Sequence, residues 1–307
     1  MIKLSQNLQI RNDINNYEIS KLSSGRNAGA YLIKSSGRNM VVKSYQQTSE
    51  SYERFAREKL FLEHCLEKEI FCVPKIIDYD YRAKQILMEH LGNSSEIKMS
   101  TNTCLALFEF VKCLNKNSSK KFSNAKDAYL DEMNVSLDIE RRIQQVSNLK
   151  LTGPLKSYFE EVSHIFLSSS FSNLVNLPFQ SDTVSKFVGF ISPSDVGLHN
   201  MLLIEQKYYF IDFEYSGYDN PLKFLCDFIT NPDNDIDDIL LPKVIDLFQA
   251  FFAIPVNEWI FDTLKFFSIK WCLILIEHSQ KSLLMGQGQD LDQKMVSKLS
   301  SLITRTK

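Results

Sequence analysis

Residues 192–214 read Ser192-Pro193-Ser194-Asp195-Val196-Gly197-Leu198-His199-Asn200-Met201-Leu202-Leu203-Ile204-Glu205-Gln206-Lys207-Tyr208-Tyr209-Phe210-Ile211-Asp212-Phe213-Glu214. Two apolar runs, Met201–Ile204 and Tyr208–Ile211, flank the polar Glu205-Gln206-Lys207, which is the pattern of a β-hairpin. Asn200 opens the first run and Asp212 closes the second, each six residues from Gln206, so folding there brings them together at the open end. Asp195 lies five residues before Asn200, in the loop that feeds the hairpin. Two oxygen ligands beside a third carboxylate suit an octahedral Mg²⁺ that also holds phosphates. Any one of these residues alone reads as an ordinary loop polar; the ordered set carries the signal.

The rest of the chain provides room for such a site. With 307 residues it is long enough for one large domain or two smaller ones with an ample core. A composition of 44% apolar and 23% charged residues is that of a soluble globular protein, and a net charge of −2 argues against a general nucleic-acid or anionic-membrane binder. The cysteines (Cys65, Cys72, Cys104, Cys113, Cys226, Cys272) form no Cys-x-x-Cys pair and sit mostly in apolar surroundings. That favours reduced thiols in a cytoplasmic protein over disulfides or zinc. Met1-Ile2-Lys3-Leu4-Ser5-Gln6-Asn7 lacks the continuous apolar stretch of a signal peptide. The apolar segment Phe266–Ile276 is interrupted by Ser268 and Lys270, is too short for a bilayer, and reads as a core helix.

Residues 1–90 read as short strands around one helix. Ala30–Lys34 and Met40–Lys43 are joined through the turn signal Ser35-Ser36-Gly37-Arg38-Asn39. A helix is expected from Thr48 to Lys68, with Thr48 or Ser49 as N-cap, and Pro74 follows it. Lys75–Asp80 and Gln85–Glu89 make a second strand pair. Beyond Leu91-Gly92-Asn93 the pattern turns helical, with helices expected over Thr101–Lys116, Asp131–Val146, Pro154–Leu167, Asp238–Phe252 and Glu258–Leu284. The expected division is a β-rich lobe over 1–90 and a larger, mostly helical lobe over 91–307.

The first lobe supplies groups suited to a nucleotide. The small, polar stretch Leu22–Tyr31, with Ser24, Gly25, Asn27 and Gly29, presents unhindered N–H groups able to close over phosphates. Gly25-x3-Gly29 matches neither Gly-x-Gly-x-x-Gly nor a Walker A sequence, so it also fits an ordinary hairpin loop. Lys43 ends an apolar strand, where an unpaired ammonium is costly. Glu58 follows Phe55 by three residues and precedes Leu62 by four, placing it on the apolar helix face, where it needs a cation. Lys43 is that cation. Glu89-His90-Leu91 ends the second strand pair, where Glu89 and Leu91 offer backbone groups to an adenine; His90 reads as a surface residue.

Together these residues resemble the aminoglycoside phosphotransferase/choline kinase-like families. The Gly-rich turn, Lys43, Glu58, Asp195-x4-Asn200 and Ile211-Asp212-Phe213-Glu214 stand in the family's order, and Gly217-Tyr218-Asp219-Asn220-Pro221 through Asp227 is similar to its Gly-Asp-Pro…Asp-Leu segment. The resemblance implies an α+β, two-lobed protein kinase-like fold, with ATP as donor, Mg²⁺ as cofactor and a small-molecule hydroxyl as acceptor. It implies Asp195 as the catalytic base, Asn200 and Asp212 as metal ligands, and Lys43, braced by Glu58, on the α- and β-phosphates. Asp227 resembles the residue that supports the catalytic loop from a helix. Ser192-Pro193-Ser194-Asp195-Val196-Gly197-Leu198-His199-Asn200 is similar to the Ser-Pro-Ser-Asp-Phe-Gly-Phe-His-Asn form of a bacterial branch, as is Lys270-Trp271-Cys272-Leu273-Ile274-Leu275. The usual His-Gly-Asp is replaced by Pro193-Ser194-Asp195, which bears on loop geometry more than on chemistry.

Other polar clusters read as structural. The acidic run Asn231–Asp238 lacks the glycine and distal glutamate of a calcium loop, and Asp237 and Asp238 suit a helix N-terminus. His64, His164 and His278 lie in helical stretches without partners at ligand spacing, the family resemblance implies a loop residue and not a base at His199, and Arg141-Arg142 reads as a solvated helix face. Trp259 and Trp271 read as core. A catalytically silent kinase-like binding module is the competing function, and an aminoglycoside acceptor the competing substrate. Retention of Lys43, Glu58, Asp195, Asn200 and Asp212 together counts against the silent module. A peptide-docking protein kinase is disfavoured by the short Asp212–Asp227 interval and the absence of Ala-Pro-Glu.

Overall fold

β-branched and aromatic residues alternating with polar ones between 18 and 45 make a meander at the start of the chain. The computed structural model describes residues 2–24, 28–116, 122–128, 132–168, 189–256, 259–284 and 293–304. They form two compact units, Met1–Lys126 with Ile191–Tyr218, and Asp127–Phe190 with Asp219–Lys307.

In the first unit, β1 (Glu18–Ser24), β2 (Ala28–Ser35), β3 (Arg38–Tyr45), β4 (Ile76–Asp80) and β5 (Gln85–Glu89) form an antiparallel sheet in the order β1-β2-β3-β5-β4. Ser36 and Gly37 take positive φ in the β2–β3 turn, the geometry whose twist matches right-handed strands. A short helix, α1 (Gln6–Arg11), precedes the sheet and was not expected from the sequence. Six residues carry too little periodicity to announce a helix. It is fixed instead by Ser5, whose Oγ accepts the Leu8 N–H, and by Asp80, whose Oδ2 accepts from Ser5 and Asn7. Leu4 and Leu8 pack with Ile33, Met40, Val42 and Leu87 into a buried cluster.

Because strand side chains alternate, sending Met40 and Val42 into that cluster turns Lys43 and Tyr45 in different directions from Val42. α2 (Ser49–Glu67) supplies their counterpart, with Thr48 as its cap accepting the Ser51 N–H. Its buried stripe is Phe55, Glu58, Phe61, Leu62 and Cys65. α3 (Thr101–Leu114), β6 (Ile191–Ser192), β7 (Met201–Ile204), β8 (Lys207–Phe210) and β9 (Gly217–Tyr218) complete the unit.

The segment 122–126 is strapped to residues 215–218. Ala125 and Lys126 donate N–H groups to the carbonyls of Tyr218 and Tyr215, and Tyr218 donates to Ser123. A Cβ on Gly217 would stand 2.4 Å from the Ser123 oxygen and 2.6 Å from the Ala125 nitrogen, both backbone. Gly217→Ala is therefore expected to destabilise the protein by about 1–3 kcal/mol, as overpacking does. A urea midpoint equal to wild type would show that the strap gives way freely.

In the second unit, α8 (Trp259–Leu284) is the hub, packing on α4 (Glu132–Ser147), α5 (Gly153–Ser168), α6 (Pro221–Thr230) and α9 (Gln293–Thr304). Apolar residues surround α8, as expected for a helix enclosed by others. Ile260, Leu264, Phe267, Cys272, Leu273 and Ile276 are all buried. α6 and α9 were not among the helices expected from the sequence. α7 (Leu241–Phe252) starts three residues later than expected. Asp237 instead caps a separate turn, its Oδ1 accepting the N–H groups of Ile239 and Leu240. All six cysteines are free thiols. Among the described residues no helix is long and apolar enough to cross a membrane.

Candidate active site

The centre of the site is Lys43. Its Nζ donates to Glu58 Oε2 at 2.6 Å and to Asp212 Oδ1 at 2.7 Å, and lies 3.9 Å from Glu214 Oε2. Tyr45, two residues along the same strand face, donates its hydroxyl to Glu58 Oε2. Lys43 and Glu58 are both buried. Burial works against the Lys43 ammonium, but Glu58, Asp212 and Glu214 outweigh it and raise its pKa. Burial likewise raises Glu58, an effect that Lys43 opposes and Asp212 reinforces.

Asp212 reaches Lys43 because its neighbours are pinned. Phe213 stacks on Phe61 of α2 with centroids 4.3 Å apart, three residues on from Glu58. Phe210 stacks on Phe110 of α3 at 4.4 Å, and its N–H donates to the Cys72 carbonyl. Asp212 itself holds a left-handed φ of 66°, which Asp tolerates better than most residues.

The hairpin closes through Glu205 and Gln206, both at positive φ, with Ile204 opposite Lys207. This two-residue turn shifts the pairing by one from a fold centred on Gln206. β8 therefore runs over Lys207–Phe210 rather than Tyr208–Ile211, and Asn200 faces Ile211, whose N–H it accepts at 3.0 Å. Asp212 follows directly. Asn200 Nδ2 donates to the Asp195 carbonyl at 3.1 Å, so Oδ1 is the side-chain oxygen that it could offer a metal. Ser194 sits at φ 71°, and Ser192 Oγ accepts its N–H, so the sharp turn before Asp195 is held without a histidine at position 193. His199 Nε2 lies 3.5 Å from Asp195 Oδ2.

The structure thus joins Lys43, Glu58 and Asp212 by direct bonds, and Asp195 to Asn200. Glu89 ends β5, its N–H on the Lys75 carbonyl and its Oε1 accepting the Lys75 N–H. The Leu91 N–H has no protein acceptor among the described residues. Ser24 closes β1 opposite Gly29. Gly25 and Asn27 lie outside the described residues. Tyr45 and Glu214 were not singled out in the sequence. Their signals were position: Tyr45 two residues beyond Lys43, and Glu214 two beyond Asp212.

The donor set can be tested against a metal. Among the described residues no three His, Cys, Asp or Glu side chains gather as a metal cage. Three carboxylates against one ammonium nevertheless leave negative charge at Asp212, whose side chain is 42% exposed. One carboxylate and one amide oxygen, with the remaining positions left to water and phosphates, suit Mg²⁺ and not a fully protein-caged zinc.

Several residues prove structural. His64 is buried, with Nε2 3.1 Å from the Leu114 carbonyl. Arg142 pairs with Asp138 at 3.0 Å and with Asp127 at 3.2 Å, so it is engaged and not merely solvated. Asp227 accepts from two lysines, Lys223 at 2.9 Å and Lys270 of α8. Lys223 also donates to Asp219 at 2.8 Å, and all four groups are buried. Burial raises Asp227, but the two ammoniums outweigh it and hold the carboxyl below its ordinary value.

Neither a protein-family model nor a curated protein sequence matches the chain. Solved structures do. The choline kinase LicA from Streptococcus pneumoniae aligns over 98% of each chain, with a TM-score of 0.59 at 13% identity. This chain has the protein kinase-like fold. The gentamicin complex of APH(2″)-IIa aligns over 100% of this chain and 98% of that one, with a TM-score of 0.59 at 16% identity. Spectinomycin phosphotransferase APH(9)-Ia, solved with ADP and spectinomycin, aligns equally far, with a TM-score of 0.59 at 11% identity. At such identities the likeness establishes the kinase-like fold, a β-sheet lobe and a helical lobe, and leaves chemistry to the site residues.

Proposed function

We propose that this protein transfers the γ-phosphoryl group of ATP to a hydroxyl of a small molecule, a sugar, polyol or amino alcohol. The observation that supports this most directly is the Lys43–Glu58–Asp212 cluster, with Asp195 and Asn200 tied to the same hairpin. The structural Lys223 has two carboxylates, both buried; Lys43 has three within 3.9 Å, one of them on a half-exposed residue bearing a left-handed φ.

In this reading residues 1–90 hold the nucleotide and 91–307 contribute the catalytic loop and the acceptor pocket. Lys43 binds the α- and β-phosphates, and Glu58 with Tyr45 fixes its direction. The Ser24–Asn27 turn covers the phosphates, while the backbone at Glu89 and Leu91 meets the adenine. Asn200 and Asp212 hold Mg²⁺, which when bound neutralises charge on the phosphates. Asp195 orients the acceptor hydroxyl and takes its proton. A new bond then forms between that oxygen and the γ-phosphorus, the bond to the β-bridging oxygen breaks, and ADP leaves with the electron pair.

The test is Mg-ATP-dependent ADP release across sugars, amino alcohols and aminoglycosides. Lys43→Met is expected to weaken ATP binding by at least about tenfold, since charge-assisted bonds contribute about 1.5–3 kcal/mol each. Equal ATP affinity in the variant, measured by calorimetry, would remove Lys43 from the nucleotide site. No Mg-ATP binding by the wild type would favour a silent binding module instead.

A further inference from the structure

The residues from Asp212 to Ser216 are each held by α2 or by the lysine that α2 braces. Asp212 and Glu214 meet Lys43, which donates to Glu58. Phe213 stacks on Phe61 at 4.3 Å, and the Tyr215 ring centroid lies 5.7 Å from the Arg54 guanidinium. The Ser216 carbonyl accepts from Arg57 Nη1 at 3.3 Å. Arg54, Arg57, Glu58 and Phe61 stand at i, i+3, i+4 and i+7 of α2, which is one face of a helix. The turn that follows Asp212 is thus laid along a single stripe of α2, residue by residue.

Arg57 closes the far end of that turn. Within it the Ser216 N–H donates to the Phe213 carbonyl at 3.1 Å, so fixing Ser216 fixes the backbone next to Asp212. The same Nη1 also donates to the Asn124 carbonyl, in the strap of residues 122–126. Arg57 therefore joins α2, the strap and the turn that carries Asp212. Its donors go to backbone carbonyls and to no carboxylate among the described residues. Burial lowers its pKa, and Glu53 only partly opposes this. A half-buried guanidinium on two carbonyls ties backbone to backbone, where a neutral side chain would fill the same space without the desolvation cost.

We propose that Arg57 is a positioning residue for the metal side of the site: by clamping the Ser216 and Asn124 carbonyls it fixes the 212–216 turn on α2 and so keeps Asp212, as a metal ligand, in register with Lys43 and Glu58. This rests on the phosphotransferase reading and adds to it a residue that acts through backbone carbonyls. Removing a group that orients a metal ligand typically weakens metal binding by about 10–100-fold.

The experiment titrates Mn²⁺, which takes the same octahedral oxygen ligands as Mg²⁺, into the equimolar complex of protein and ADP, read by electron paramagnetic resonance. ADP affinity in EDTA is measured beside it by calorimetry. Arg57→Met, which fills the space and removes the donors, is expected to weaken Mn²⁺ by about tenfold or more and to leave ADP affinity in EDTA within about twofold of wild type. Arg57→Lys, a donor without the planar fork, is expected to fall between the two. A lowered urea midpoint with Mn²⁺ affinity unchanged would make Arg57 a structural tie and overturn the inference, as would equal weakening of ADP with and without metal. Should Arg57→Met not fold, Arg57→Lys decides, and Mn²⁺ affinity equal to wild type overturns the inference. A wild-type complex that binds Mn²⁺ no better than ADP alone, or a protein that binds no ADP, would instead overturn the phosphotransferase reading beneath it.

Discussion

Asp195→Asn is expected to lower kcat by about 10²–10⁴-fold, the usual contribution of a positioned general base, while leaving ATP binding largely intact. The geometry makes this substitution unusually clean. The bond that ties Asp195 to the hairpin runs from Asn200 Nδ2 to the backbone carbonyl, so changing the carboxylate leaves it untouched. The turn before it is held by Ser192 Oγ and the Ser194 N–H, again without the Asp195 side chain. His199, whose Nε2 lies 3.5 Å from the carboxylate, can face an amide oxygen as readily. On the proposed mechanism, what the variant would lose is the capacity to take the acceptor's proton. Single-turnover ADP formation separates this from binding, and a near-normal rate would transfer the base role elsewhere.

How far this site can be read without coordinates depends on the kind of contact. The hairpin is legible because β pairing is local: two apolar runs around Glu205-Gln206 force Asn200 and Asp212 to one end. Even so, the turn type sets the register, and two residues at positive φ moved it by one. The Lys43–Glu58 pair is legible because each residue breaks an apolar pattern, one of period two and one of period 3.6. Tyr45 and Glu214 break no pattern and become visible only when strand, helix and hairpin meet at one point. The 122–126 strap is less legible still, since it is set by backbone bonds and the close approach at Gly217. α1 escaped because its stability comes from Asp80 and Gln85, far along the chain, and not from its own six residues.

The buried ion chain shows the same division and leads to the largest expected effect on stability. Lys223 and Asp227 stand four apart, a spacing that aligns them along α6, Asp219 lies just before the Asn220 cap of that helix, and Lys270 arrives from α8. Asp227→Asn keeps the shape but removes the carboxylate that Lys223 and Lys270 share. It is expected to destabilise the protein by about 3–5 kcal/mol, the usual cost of breaking a buried pair from one side. Replacing Asp227 and Lys270 together, as Asp227→Leu with Lys270→Met, should recover much of that loss, since uncharged residues need no compensation. The pH dependence follows from the depressed Asp227 pKa. Its stabilising contribution is fully present above the unfolded value of about 3.9 and is lost as pH falls through the lower folded value. Wild type and Asp227→Asn should therefore differ most at neutral pH and converge in acid. Urea unfolding at pH 7 and at progressively lower pH measures both effects. Equal stability at pH 7 would show that the chain Asp219–Lys223–Asp227–Lys270 contributes nothing net to the fold.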